Sequence, residues 1–324
     1  MSGGGASIRA LVTGTWNGFW FERGNTFTLG LFRIFFAYCL WREVGTTHAR
    51  SVFGIEGGFH LPYVPFVQPV SSQIYDWIHL AQYPLVLLLG IGLYSRVAAG
   101  GLLALHGYIF FADQLNFRNH PYLFLLVLLI LVFSPCDDAL SLRRLRSGRE
   151  RQEPDPRAYL GSWKPLTAQR LIQVQLSLVY FYAALHKLNG YFLSGGVLSR
   201  QISRDLFDDF SGQLVHVFLS PAVVDWLKQA TEEHERFVIP AVLTVAIEMF
   251  LAFGLWFRRS RPYAFALGFA LHGGIALVMN IKTFSFATLA TYLLFLPPAA
   301  LPTWLARQFG DAPGAQPPRP RADA

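Results

Sequence analysis

Long apolar runs, each close to the width of a membrane, are the feature that most constrains how this chain can fold. The clearest run lies at 170–192, where apolar residues continue for most of a bilayer's thickness before His186 and Lys187. About 20 apolar residues in a helix span the hydrocarbon core. The chain is 53% hydrophobic and 15% charged, with a mean hydropathy of +0.35, which is typical of an integral membrane protein. This length and composition predict an all-α, polytopic helical bundle of about eight transmembrane helices in one domain.

The apolar runs also predict where each span begins and ends. The predicted spans lie at 27–41, 80–94, 97–112, 121–135, 170–192, 237–257, 262–281 and 284–299. Between the second and third spans only Ser95 and Arg96 remain, which predicts a tight hairpin. Three segments are predicted as loops: 46–79 with at most short or re-entrant helices, the highly charged 137–169, and the partly amphipathic 191–236.

The distribution of basic residues predicts how the chain lies in the membrane. The formal net charge is +7, but the lysines and arginines lie mainly in short loops beside apolar spans, so they indicate orientation in a cell membrane and not nucleic-acid binding. The positive-inside rule then places both termini in the cytoplasm. The predicted organisation is a cytoplasmic or interfacial segment at 1–25, the transmembrane domain at 26–300, and a Pro-rich, disordered cytoplasmic tail at 301–324.

Lys187 is the first candidate functional residue, because hydrocarbon does not readily hold an ammonium group. Gln173, Tyr180 and Lys187 are seven residues apart, so they follow nearly one line along a helix, with Ala183 and Ala184 beside the lysine. Two interpretations stay open. Lys187 is either an interfacial anchor whose amine reaches toward the headgroups, or a partly desolvated amine that can act as a base.

Glu248 and His272 are further candidates, since each lies near the middle of a predicted span and the two spans form an antiparallel hairpin. We predict that they interact with each other near mid-depth. The interaction would be either a structural contact that fixes helix rotation or part of a functional site. The nine histidines show no HExxH or HxxxH spacing, and the two cysteines form no CxxC pair, so no metal site is predicted.

Three blocks of sequence resemble, in order, the HTTM family, which is the transmembrane domain of vitamin K-dependent gamma-carboxylase and its bacterial relatives. The blocks are NHPYLFLLVLLILVF, then WKPLTAQRLIQVQLSLVYFYAALHKLNGYFLSGGVL, then IPAVLTVAIEMFLAFGLWFRRSRPYAFALGFALHGGIALVMNIKTFSFATLATYLLF. The resemblance covers roughly residues 25–300. It implies a lyase-type enzyme in which a base deprotonates a reduced, vitamin K-type hydroquinone. The reduced quinone then reacts with oxygen, and the strong base so formed removes a proton from glutamate before carbon dioxide adds.

The resemblance also implies which residues would form the site. Lys187 matches the carboxylase's base, and His120, preceded by Asn119, matches a histidine of the same active region. His272 falls in a block that resembles the later histidine-containing span. The topology places Asn119, His120, His186 and Lys187 at the extracytoplasmic ends of their helices. The residues predicted to line the cofactor site are Tyr180, His186, His272 and Glu248.

Three functions remain open at this point. The first is an enzyme that uses a reduced quinone with oxygen, with or without carbon dioxide, to modify a secreted peptide or a membrane lipid at the extracytoplasmic face. The second is a non-catalytic maturation or export factor for a secreted peptide. The third is a small transporter that uses Glu248, His272 and Arg33, which is less favoured because the spans show no inverted repeats. The sequence leaves the oligomeric state open.

Overall fold

The computed structural model describes residues 16–56, 61–63, 66–67, 70–114, 117–150, 160–207, 218–278 and 281–308. The first half of the described chain contains a short strand, five helices and a second short strand. In chain order these are β1 Arg23–Asn25, α1 Phe27–Glu56, α2 Ser72–Ile91, α3 Ser95–Ala112, α4 Asn119–Val132, α5 Leu142–Glu150 and β2 Trp163–Pro165. The all-α prediction is confirmed apart from β1 and β2, which pair antiparallel with Gly24 opposite Lys164.

The second half contains a long helix, a group of short helices and a final set of packed helices. These are α6 Thr167–Lys187, α7 Gly190–Leu193, α8 Gly196–Phe207, α9 Pro221–Glu232, the 3-10 helix His234–Phe237, α10 Val238–Gly254, α11 Arg261–Val278, α12 Lys282–Tyr292, the 3-10 helix Leu293–Phe295 and α13 Ala300–Gln308. Helix α6 packs against α10, while α1 packs against α2 and α12.

The helices are held together by apolar side chains at helical spacing. In α1, Phe32, Phe36 and Leu40 are four residues apart and fully buried, so they form one face toward the interior. They pack with Phe124 and Leu128 of α4 in a core that also receives side chains from α2 and α3. The predicted hairpin is confirmed: α2 ends at Gly92, whose φ of 75° is readily adopted by glycine, and α3 begins at Ser95.

Three described helices are long and apolar enough to cross a membrane: Ser72–Ile91, Ser95–Ala112 and His234–Gly254. Large apolar side chains also face outward on these helices, for example Trp77, Leu87 and Ile239. Such exposed apolar surface is expected where lipid replaces water. The number of spans, predicted as about eight, stays a prediction, as does the orientation of both termini.

Several predicted loop boundaries are wrong, because these loops contain amphipathic helices. The polar residues of such helices lower the mean hydropathy, so an apolar run does not mark them. The predicted loop 46–79 is narrower, since α1 continues to Glu56 and α2 begins at Ser72. The predicted loop 191–236 contains α7, α8, α9 and a 3-10 helix, and the charged loop 137–169 contains α5. Helix α13 covers 300–308, so the predicted disorder of the tail is wrong for 301–308, and 309–324 lies outside the described residues.

Arg33, which is fully buried in α1, is a structural residue at one end of the bundle. Its guanidinium donates to the carbonyls of Cys136 at 2.7 Å, Leu140 at 2.6 Å and Gly90 at 3.2 Å. These bonds connect α1 to the end of α2 and to the chain after α4. These hydrogen bonds to backbone carbonyls compensate for the loss of water around the buried guanidinium.

Asp138 forms a second, ionic connection at the same end of the bundle. Its carboxylate accepts hydrogen bonds from the Thr26 hydroxyl at 2.7 Å and from the amide and hydroxyl of Ser162 at 2.9 and 2.5 Å. The Lys164 amine lies 2.8 Å away and Arg144 3.7 Å away. Burial alone would raise the pKa of Asp138, but the bonds from Lys164, Ser162 and Thr26 outweigh it and lower the pKa to about 2.

Candidate functional site

The last turn of α6 brings Lys187 against the carboxylate of Glu248 on α10. The Lys187 amine donates to Oε1 of Glu248, and the two side chains form an ion pair. Glu248 is buried, whereas the lysine side chain keeps 29% of its exposure. Within the part of the chain that the structure describes, Oε2 of Glu248 is buried without a hydrogen-bond partner. One carboxylate oxygen of Glu248 therefore faces the amine, and the second can accept a proton or a hydrogen bond from a hydroxyl group.

An apolar layer covers this pair. The Phe192 ring of α7 lies 5.7 Å from the Lys187 amine, close enough for a cation–π contact. Phe192 packs with Leu198 and Ile202 of α8 and with Val245 of α10 in one buried cluster. The segment predicted as a loop at 191–236 thus supplies amphipathic helices whose apolar side chains pack over this end of α6 and leave the Lys187 side chain partly exposed.

A chain of three hydroxyl and imidazole groups lies one to two helical turns along from Lys187. The Tyr180 hydroxyl is 2.7 Å from Nε2 of His272 and 2.6 Å from the Tyr292 hydroxyl. A Cβ at Gly268 would collide with the Tyr292 hydroxyl, so glycine permits this close approach of α12 to α11. Lys187 is close enough to His272 for their charges to interact. Nδ1 of His272 is buried without a hydrogen-bond partner among the described residues.

A second group of ionisable residues surrounds Glu43, which is 1% exposed on α1. The Arg118 guanidinium lies 3.1 Å from Oε1 of Glu43, and Nε2 of His120 lies 3.3 Å from Oε2. His106 of α3 is close enough for its charge to interact with Glu43, and its Nδ1 lies 3.2 Å from Oε1 of Gln82. This arrangement holds His120 between a carboxylate and the aromatic rings described next.

Phe284 of α12 connects the two groups. Its ring centroid is 6.4 Å from that of His120 and 5.9 Å from that of His272. His120 also contacts Phe124 edge-on at 6.4 Å. Phe284 thus contacts one imidazole of each group, in the tilted and edge-on geometries that aromatic rings prefer.

The structure brings together most of the predicted site residues but changes one pairing. Lys187, Glu248, Tyr180 and His272 form one group, and His120 reaches it through Phe284. The predicted interaction between Glu248 and His272 is wrong, because Glu248 bonds to Lys187 and His272 bonds to Tyr180. The helices are rotated so that both Glu248 and His272 face α6 and not each other.

Two predicted residues lie apart from these contacts. Asn119 is exposed at the first residue of α4, next to His120. His186 is exposed on α6, and its backbone carbonyl accepts a hydrogen bond from the Asn189 side chain. Adjacent residues of a helix point about 100° apart, so Lys187 can turn inward while His186 faces outward.

The sequence analysis missed four residues of the site: Glu43, Arg118, His106 and Tyr292. Glu43 follows Phe32, Phe36 and Leu40 at a helical spacing of four, four and three, so it shares the buried face of α1. Continuing that periodicity past the end of the predicted span at 41 would have indicated a buried carboxylate. Tyr292 carries no comparable signal, because its role depends on contact with Tyr180 of another helix.

Comparison with known proteins adds family membership to this geometry. A sequence model of the HTTM domain matches residues 21–299, which is most of the chain. No solved structure matches the chain. The match includes every residue of the two ionisable groups described above, together with the helices that cover them. The chain is therefore a membrane protein that belongs to the HTTM family, the carboxylase-related family that its three sequence blocks resemble.

Proposed function

We propose that this protein is a membrane enzyme whose Lys187–Glu248 pair serves as the base toward a reduced quinone. The observation that carries the proposal is the contact of the Lys187 amine with a buried carboxylate beneath an apolar cover. A carboxylate partner stabilises the ammonium form, so the pair and not an isolated neutral amine, as the sequence suggested, is the proton-accepting unit. Moving the shared proton from Nζ of Lys187 to Glu248 would leave a neutral amine, which could then accept the proton of a phenol-type hydroxyl.

The residues present fit a vitamin K-type hydroquinone. Two buried polar atoms have no hydrogen-bond partners among the described residues. Oε2 of Glu248 can accept a hydrogen bond from a hydroxyl group of the hydroquinone, and Nδ1 of His272 can accept or donate one according to its tautomer. Phe284, which contacts His272, and Phe192, which lies near the Lys187 amine, supply apolar surface close to these atoms. When bound, the hydroquinone would supply the reducing chemistry with oxygen that side chains lack.

His120, His272 and Tyr180 would orient the bound ring and keep its hydroxyls directed at the pair. Glu43 fixes the position of His120, and the Tyr180 hydroxyl fixes that of His272. Such held groups act without reorganisation at the moment of reaction. Asn119 at the mouth of this region and the exposed His186 would have at most peripheral contact with the ligand. The substrate in this proposal is a secreted peptide or a lipid at the extracytoplasmic face.

The transporter function receives no support from the contacts of its three residues. Arg33 bonds to backbone carbonyls at the end of the bundle that also contains Asp138, Glu248 bonds to Lys187, and His272 bonds to Tyr180. The three side chains do not form one path. A non-catalytic role in peptide maturation needs no base, whereas the proposed enzyme does. The measurement of hydroquinone oxidation described next therefore distinguishes the two functions.

The test is oxidation of a vitamin K-type hydroquinone by purified full-length protein in lipid nanodiscs, with labelled bicarbonate present to detect carboxylation. Wild-type protein should accelerate oxidation in air, and Lys187→Arg should lose about 100-fold or more, because guanidinium stays protonated. Lys228→Arg on α9 is the matched control and should keep full activity. Equal rates for Lys187→Arg and wild type, with quinone still bound, would make Lys187 an interfacial anchor and favour the non-catalytic function.

A further inference from the structure

A cavity of about 460 Å³ lies at the other end of the bundle, between the α2–α3 hairpin and helix α5. It is far from the Lys187 group, since it adjoins the segment of Asp137 and Asp138 and not the C-terminal end of α6. Arg96 and Val97 line it from the start of α3, and Arg143 and Arg146 line it from α5. The residues that line the cavity come from the α2–α3 hairpin, the start of α3, the segment that contains Asp137 and helix α5, and none of these residues takes part in the proposed reaction.

The charge of the cavity is positive, because three guanidinium groups and one carboxylate, that of Asp137, line it. Arg143 bonds to Asp137 at 2.7 Å, and this bond raises the pKa of Arg143 further. Arg143 and Arg146 are three residues apart, so they share one face of α5, and Ser147 lies beside them on that face. Several guanidinium groups close together are a typical environment for a phosphate group.

Arg96 is held in place for such a contact. Its Nε donates to the carbonyl of Ser134 at 3.1 Å, which fixes the plane of the guanidinium. Among the residues that the structure describes, its two terminal amino groups make no hydrogen bond, and a planar guanidinium can bond two oxygens of one phosphate. The site thus has one fixed cation from α3 opposite two cations from α5.

The outer edge of the cavity is apolar. Val97 is 72% exposed and Tyr94 is 65% exposed, and both line the cavity beside Arg96. Tyrosine beside basic residues at a helix end is typical of the membrane–water interface. By the distribution of basic residues, this end of the bundle is the predicted cytoplasmic one, where anionic lipids attract basic groups.

We propose that this cavity binds the headgroup phosphate of an anionic membrane phospholipid. Arg96 and Arg146 contact the phosphate, while Arg143 is held by Asp137 and contributes charge at the rim. The Ser147 hydroxyl donates to the Arg144 carbonyl at 3.0 Å and only adjoins the site. Tyr94 and Val97 contact the first carbons of the acyl chains. A free phosphate ion would use the same cations but gain nothing from the apolar edge, so the lipid is the better fit.

The test titrates purified full-length protein in non-ionic detergent with dihexanoyl phosphatidylglycerol, using calorimetry to measure affinity. Dihexanoyl phosphatidylcholine should bind about tenfold more weakly, since each basic residue near an anionic surface contributes about 1 kcal/mol. Arg96→Gln/Arg146→Gln should weaken phosphatidylglycerol binding about tenfold or more. Arg258→Gln/Arg259→Gln, which changes two exposed arginines in the α10–α11 turn, should leave the affinity unchanged.

Three results would overturn the proposal. Wild-type affinity in the Arg96→Gln/Arg146→Gln variant would show that the cavity is not the site. An equal loss in Arg258→Gln/Arg259→Gln would show attraction by overall charge. Displacement of the lipid by inorganic phosphate at equal concentration would show a simple anion site. Should the double variant not fold, the single change Arg146→Gln on the exposed face of α5 gives the same comparison, with an expected loss of about fivefold.

Discussion

Asp138 and Glu248 are both buried carboxylates that pair with a lysine beside helix α6, but they differ in how completely they are satisfied. Asp138 pairs with Lys164 before α6 begins and also accepts three hydrogen bonds from Thr26 and Ser162. Glu248 pairs with Lys187 where α6 ends, and its second oxygen has no hydrogen-bond partner among the described residues. Full satisfaction stabilises a fold, whereas a partly satisfied buried pair retains capacity for a ligand or a proton.

The comparison predicts that removing charge at Asp138 costs stability. Asp138→Asn keeps the shape of the side chain but leaves Lys164 and Arg144 without their common partner. We expect the free energy of unfolding to fall by about 3 kcal/mol, because breaking a buried ion pair leaves an uncompensated charge. Urea unfolding of the protein in detergent measures this. Glu248→Gln is the paired control and should cost less, and the reverse ranking would break the distinction between the two carboxylates.

The lowered pKa of Asp138 predicts a dependence of stability on pH. The carboxyl has a pKa of about 2 in the folded protein, which is below the ordinary value of an aspartate. A lowered pKa contributes stability above the unfolded value, and that contribution is lost as the pH falls from about 4 toward 2. We expect a loss of about 2 kcal/mol from this residue over that range. Subtracting the pH dependence of the free energy of unfolding of Asp138→Asn from that of the wild type isolates the contribution of Asp138. A difference that does not change with pH would contradict the lowered pKa of Asp138.

The smallest effect is expected at His186, which adjoins Lys187 in sequence but is exposed. His186→Ala should change the free energy of unfolding by less than about 0.5 kcal/mol, as is usual for exposed positions. Hydroquinone oxidation should stay close to the wild-type rate. The two assays already described measure both quantities. A loss of activity comparable to that of Lys187→Arg would place the imidazole in the site and would mean that α6 turns differently at its end.

Much of helix α6 could be predicted from the sequence. Its continuous apolar run and the spacing of seven residues between its polar side chains can be interpreted from the geometry of one helix alone. Tyr180 and Lys187 lie on one side as expected, and both contribute to the same group of contacts. The hairpin at Gly92 was equally predictable, since the break between two apolar runs is local. The match to the HTTM domain confirms the family that the ordered blocks indicated.

The partners of the buried charges could not be predicted in the same way. Whether Glu248 meets His272 or Lys187 depends on the rotation and depth of α10 relative to α6, and periodicity within one helix fixes neither. Glu43 was missed because α1 continues past its apolar run, where packing on α2 sustains a helix that hydropathy does not indicate. Helices α8 and α9 were missed for a related reason, since their amphipathic sequences lower the mean hydropathy.

The most direct test of the central claim is a double-mutant cycle between Lys187 and Glu248 in the rate of hydroquinone oxidation. The four proteins are wild type, Lys187→Ala, Glu248→Gln and the double variant, each checked for folding and quinone binding. If the two side chains act as one proton-accepting unit, the double variant should be no slower than the slower single variant, giving a coupling energy above about 1 kcal/mol. Losses that multiply, with no coupling, would show two independent residues and would contradict the account.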